Sequence, residues 1–139
     1  MAYTRDYTDR MLAMLAKALA GLLGLKEQGE DEEIKKEVNN LIKDHLELEM
    51  DTILQLSEGQ LLHHLEKLKK IRTAEIELLA DIIMQYAEVE EKAGTPKAKI
   101  LFRKIVLIYE FISKEEKSYS FQREDKVKAL IRKIEGPAE

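Results

Sequence analysis

Apolar side chains in this chain recur every three to four residues, and no segment alternates with the period of two that a strand requires. The first such run spans about Arg5 to Lys26, where Leu12, Leu15, Leu19 and Leu22 follow 3-4-3 spacing. Met11, Met14, Ala18 and Leu23 widen that stripe beyond one face. Ala13, Ala16, Ala20 and Gly24 leave another side small enough for a neighbouring helix to approach closely. A helix apolar on most sides belongs inside a bundle or across an interface between copies.

The pattern predicts further helices in turn. The second covers about Asp31 to Leu48, with acids in its first turn, where the helix dipole favours them, and a stripe of Ile34, Val38, Leu41, Ile42, His45 and Leu48. "MDTILQL" is a short apolar connector with one helical turn started by Asp51. Ser57 and Gln60 form a capping box that opens a third helix running to about Lys70. Thr73 caps a fourth, whose stripe is Ile76, Leu79, Ala80, Ile83, Tyr86 and Ala87. Gly94-Thr95-Pro96 is the clearest punctuation, with Gly94 in the left-handed position past a helix end, Thr95 as a cap and Pro96 at the next first turn. So short a loop predicts an antiparallel pair with a fifth helix, about Pro96 to Lys114. "SKEEKSYS" is a loop, and Val127, Leu130, Ile131 and Ile134 mark a sixth helix that Gly136-Pro137 ends. The expected fold is all-α, five to six helices in antiparallel hairpins. It forms one domain over 1–139, with N-terminal helices in 1–72 and a hairpin plus final helix in 73–135.

Composition narrows the function classes. With 45% apolar and 36% charged residues, the chain has the balance of a folded helical protein and not of a disordered one. The absence of cysteine excludes disulfides, thiol catalysis, iron–sulfur clusters and cysteine zinc sites, and fits a cytoplasmic protein. "MAYTRDYTDR" has no signal-peptide layout. The most apolar stretch, Met11 to Leu25 with Lys17 in its middle, falls short of the roughly 20 residues of a membrane span. A net charge of −4 does not point to nucleic acid.

The segment "LADIIMQYAEVEEKAGTPKAKILFRKIVLIYEF" resembles one tetratricopeptide-type helical hairpin. The matching elements are Tyr86 and Ala87 on its first helix, Gly94 at the turn, and Ala98, Phe102 and Ile105 on its second. The Trp-Leu-Gly opening of that repeat is absent and no second copy follows at a 34-residue period, so this is one hairpin and not an array. "RDYTDRMLAMLAKALAGLLGLKEQGEDEE" and "LIKDHLELEMDTILQLSEGQLLHHL" extend the similarity over nearly the whole chain. It is to a family of uncharacterised small all-helical bacterial proteins, mostly from Firmicutes. The resemblance implies an all-α fold with a tetratricopeptide-like second half, and no activity.

Candidate chemistry is sparse. His45 and Glu49, four apart, share a helix face if the helix reaches Glu49, and His64 is the obvious third ligand for a metal. His63 and His64 are separated by about 100° around a helix, so they diverge, His64 toward Leu61, Leu65 and Leu68 and His63 toward water. The Glu-x-x-His pairs of di-iron bundles are missing, as is any phosphate-binding glycine loop. Charge is segregated: acids alone between Glu75 and Glu91, and mostly bases from Lys97 to Lys133, tightest at Lys97, Lys99, Arg103 and Lys104. Attraction between the helices that carry these charges accounts for the pattern better than a nucleic-acid surface does. The expected function is non-catalytic: a helical interaction or scaffold module, with a homodimer or another protein as partner and no cofactor or metal. Its candidate interface is Met11, Leu12, Leu15, Leu19, Leu22 and Leu23. The alternative is a small metal-dependent enzyme using His45, Glu49 and His64.

Overall fold

The computed structural model describes residues 2–68 and 72–136. They are all-helical, with α1 (Ala2–Glu27), α2 (Asp31–Leu46), α3 (Met50–Gln55), α4 (Glu58–Lys67), α5 (Thr73–Lys92), α6 (Lys97–Glu116) and α7 (Phe121–Glu135). Seven helices exceed the five to six that the hydrophobic pattern predicts. The additional one is α3, which the sequence presents as a connector. Its Met50 and Ile53 are buried, and that burial stabilises a helix too short to persist alone. The end expected for the third helix, at about Lys70, lies outside the described residues.

The antiparallel pair α5 and α6 forms the centre. α1 and α2 pack on α5, α7 and α4 pack on α6, and α3 bridges α2 and α6. Leu79, Ala80, Ile83 and Ala87 of α5 meet Leu101, Phe102, Ile105 and Ile108 of α6 in one continuous core. Tyr86, Ala98 and Phe102, which carry the hairpin resemblance, are all buried. Gly94 adopts φ +74 after Ala93 closes α5, the left-handed geometry that its position predicts.

Local signals were met, exceeded or redirected by packing. The capping box at Ser57 and Gln60 forms in both directions. Thr73 and Thr95 do not cap. The Thr73 hydroxyl donates to Glu116 at 2.8 Å and the Thr95 hydroxyl to the Glu90 carboxylate at 2.7 Å, so each is spent on a neighbour of opposite polarity. α2 stops at Leu46, not Leu48, because Glu47 turns to φ 58. Asn39 then holds the corner, accepting from the Met50 N–H at 2.9 Å and donating to Glu49 at 3.0 Å. α6 runs on to Glu116 through residues predicted as loop, since Ser113 and Glu116 both accept hydrogen bonds from Arg123 of α7. The small side of α1 receives no neighbour: Ala13, Ala16 and Ala20 are exposed, and nothing lies close to Gly24.

One polar group is buried deep in this packing. Lys104 occupies a helical core position of α6, three residues after Leu101 and four before Ile108, and is 6% exposed. Its ammonium donates to the carbonyls of Ile53, Leu54 and Leu56, at 2.9 Å for Leu54 and 2.6 Å for Leu56. These are carbonyls at the end of α3, which have no partner within that helix. The lysine therefore closes α3 from across the core, as a cation at the negative end of a helix. Burial pulls its pKa below the ordinary lysine value, partly offset by the Glu58 charge.

Lys104→Ala leaves these carbonyls without their donor. It is expected to lower stability by about 2–4 kcal/mol in urea denaturation, whereas Lys99→Ala on the exposed side of the same helix changes it by less than about 0.5 kcal/mol.

Candidate functional site

The sequence singles out three places: a histidine–glutamate trio, a basic cluster and the apolar excess of α1. The trio does not come together as ligands. α2 ends before Glu49, so His45 and Glu49 are not on one helix. The Glu49 carboxylate, held by Asn39 at 3.0 Å and Lys43 at 3.4 Å, titrates below the ordinary glutamate range. The His64 Nε2 lies 2.6 Å from the Leu46 carbonyl, so that nitrogen carries the proton and donates it. His63 is exposed and His45 half-buried. Among the described residues no group of three or more His, Asp or Glu side chains is placed to hold a metal ion.

The basic cluster is also divided. Lys104 turns inward, while Lys97, Lys99 and Arg103 stay at the surface. The charge segregation resolves as attraction between helices, mostly from α7 onto α5. Arg123, 4% exposed, reaches Glu77 at 2.8 Å and Glu116 at 2.9 Å. Lys126 reaches Asp81 at 3.0 Å, and Lys133 reaches Glu91 at 3.0 Å. Tyr109 of α6 donates to the same Asp81, and burial followed by the nearby Asp81 charge drives its phenol far above the ordinary tyrosine range. Two further acids of α5 face the other way: Glu90 meets Lys35 of α2 at 2.7 Å and Glu88 meets Lys26 of α1 at 3.0 Å.

The sequence places Lys104 in a basic cluster and does not single out Arg123, yet both are buried. Both carried a signal in their register: Arg123 lies four before Val127 and seven before Leu130, inside the apolar stripe of α7. A cation on a core stripe needs a buried partner, and that register was the cue.

α1 is packed along one side only. Leu15 and Leu22 are 0% and 1% exposed, in the core against α2 and α5, so these two of the six candidate interface residues are closed to any partner. Met11, Leu12 and Leu19 are half-buried. Leu23 is open at 44%, together with Met14 at 47% and Tyr7 at 60%. Among the described residues no helix is long and apolar enough to cross a membrane. Comparison with family models, curated proteins and solved structures gives no match for this chain.

Two carboxylates near the start of α5 respond to acid in opposite senses. The Thr73 hydrogen bond, then Arg123, holds the Glu116 pKa below its ordinary 4.5. A carboxylate depressed in the folded state adds stability above the unfolded pKa and loses it as the pH falls through the folded one. Glu75 is the reverse case: burial raises it above 4.5, so its ionised form weakens the fold at neutral pH and the penalty vanishes below about pH 4.5. Glu75→Gln is therefore expected to raise the urea midpoint at pH 7 and to have no effect below about pH 4.5, with Glu116→Gln lowering the midpoint at pH 7. Arg123→Met removes the shared cation and is expected to cost about 3 kcal/mol, measured in the same assay.

Proposed function

We infer that the protein is a non-catalytic helical interaction module that self-associates through α1. The observation that carries this reading is the large apolar surface left open on that helix. Met14 and Leu23 are nearly half exposed at the two edges of the open side of the helix, about 180° apart, and the residues from Met11 to Leu25 include one charge, Lys17. Alanines at 13, 16 and 20 border them on the solvent side, so a second helix can lie close without displacing bulky groups. A patch of this kind on a small domain marks an association site more often than an inert surface. The interface of the proposal is thus Met14 and Leu23, with the half-buried Met11, Leu12 and Leu19 beneath them. The partner is a second copy, since closed two-fold pairs are the commonest assembly and place identical patches together.

The wider reading keeps the features of the resemblance. It is of a bacterial, cytoplasmic scaffold or adaptor with a tetratricopeptide-like second half. Its support is the α5–α6 hairpin, with small residues and an aromatic between its helices, and a chain free of cysteine. Nothing in the arrangement of His45, Glu49 and His64 favours the metal-enzyme alternative.

Light scattering at about 50 µM, well above the ~1 µM dissociation constant that corresponds to about 8 kcal/mol, is expected to give twice the chain mass. Met14→Glu with Leu23→Glu is expected to give a monomer with an unchanged circular dichroism spectrum. A monomeric parent chain at that concentration would remove self-association from the account.

A further inference from the structure

α2, α3 and α5 enclose a cavity of about 280 Å³. No residue of α1 lines it, so it stands apart from the proposed self-association. Glu32, Lys36 and Asn39 of α2 form one side, Glu49 and Asp51 at the start of α3 the other, and the buried Tyr86 of α5 lies innermost. Part of its charge is already matched. Lys35 pairs with Glu90 at 2.7 Å and lies over the Tyr86 ring, 5.2 Å from its centre. Glu49 is held by Lys43 and Asn39. Glu32 and Asp51 make no ion pair among the described residues.

The Tyr86 hydroxyl is also left over. The residue is 7% exposed, yet its hydroxyl makes no hydrogen bond to any described residue. Buried tyrosines usually give that group a partner. Its oxygen is not sealed off. Among the described residues the one side-chain polar atom both buried and without a hydrogen bond is the Gln85 amide oxygen, so the Tyr86 oxygen keeps access to the cavity that the residue lines. Burial raises the Tyr86 pKa above the ordinary tyrosine value; of the charges around it Lys35 lowers it, and Glu90, Asp51 and Glu32 raise it. The phenol is therefore neutral at pH 7 and its oxygen can accept a hydrogen bond.

We propose that this cavity binds a small primary amine as its ammonium ion, which donates to the Tyr86 oxygen and takes Glu32 and Asp51 as counter-charges. Three features set that chemistry. An unpartnered acceptor at the inner end calls for an N–H donor. Two unpaired carboxylates favour a cation and oppose an anion, while Lys36 is exposed, where water and salt screen its repulsion. The volume lies just under the ~300 Å³ at which small-molecule sites begin, so the body of the ligand is a few carbons. No group of three or more acids or histidines among the described residues is placed to hold a metal ion, so the ligand brings its own donors.

The test uses two probes of equal charge and similar volume: butylammonium, which has N–H donors, and tetramethylammonium, which has none. Each is titrated to about 10 mM into the full-length ¹⁵N-labelled chain at low ionic strength, where exposed carboxylates are least screened. Butylammonium is expected to shift the amides of Glu32, Lys36, Asp51 and Tyr86. It is expected to bind about tenfold tighter than tetramethylammonium, the ratio that one hydrogen bond from a charged donor supplies. Tyr86→Phe keeps the ring in place, so the circular dichroism spectrum is expected to be unchanged and the ratio to fall to about one. Glu32→Gln with Asp51→Asn is expected to weaken both probes by about fivefold or more, since both rely on the charge. Shifts confined to another part of the molecule, equal binding of the two probes by the parent chain, a ratio that survives Tyr86→Phe, or unchanged affinity in the double variant would each overturn the proposal. So would displacement of butylammonium by magnesium chloride at matched ionic strength, which would assign the cavity to a metal ion.

Discussion

The organisation of this protein follows from the problem posed by α5. Every residue from Glu75 to Glu90 is buried or half-buried, yet the helix carries carboxylates at 75, 77, 81, 88 and 90 within that span. Ionised groups so placed need partners, because withdrawing an unpaired charge from water costs several kcal/mol. The surrounding helices meet that need from three directions: α7 supplies Arg123 and Lys126, α2 supplies Lys35, and α1 supplies Lys26. Apolar packing brings the helices together, and these pairs select which edge of each neighbour faces α5. Glu75 is the exception, since burial raises its pKa and the Arg72 charge offsets that only in part.

The second interior cation works on a different principle. Lys104 meets no carboxylate in the core; it meets carbonyl oxygens that α3 cannot satisfy itself. The consequence is topological. A helix of six residues is held against α6 by one ammonium and by Met50 and Ile53, and α4 is launched from its end through the Ser57 capping box. The N-terminal and C-terminal halves of the chain are joined through this contact as well as through the packing of α1 and α2 on α5.

Function, on this frame, is a property of what the packing leaves uncovered. The site chemistry that seemed most specific in the sequence dissolves on folding: His64 is spent on a backbone carbonyl, and Glu49 belongs to a corner held by Asn39. What the fold leaves open is one side of α1 and the cavity between α2, α3 and α5. The first offers apolar area without direction, which suits association.

The all-helical class, the long first helix, the Ser57 capping box and the Gly94 turn were legible from periodicity and turn chemistry. These depend on residues close together in the chain, whose interactions are the same in any helical protein. Element ends were less legible where distant partners decide them. Glu116 remains helical because Arg123 and Thr73 bind it from other helices, and α3 exists because Ile53 and Met50 find a core to enter. The division of the α1 candidates into closed Leu15 and Leu22 and open Leu23 was beyond the sequence, because all three lie on the same broad apolar arc and only the positions of α2 and α5 say which part is covered. The sequence by itself determined where the long helices lie and that charges of opposite sign would meet. Tertiary structure alone decided which cation reaches which acid, which apolar side chains remain in water, and that the Gln85 oxygen has no partner, since each of these rests on the distance between residues far apart in the chain.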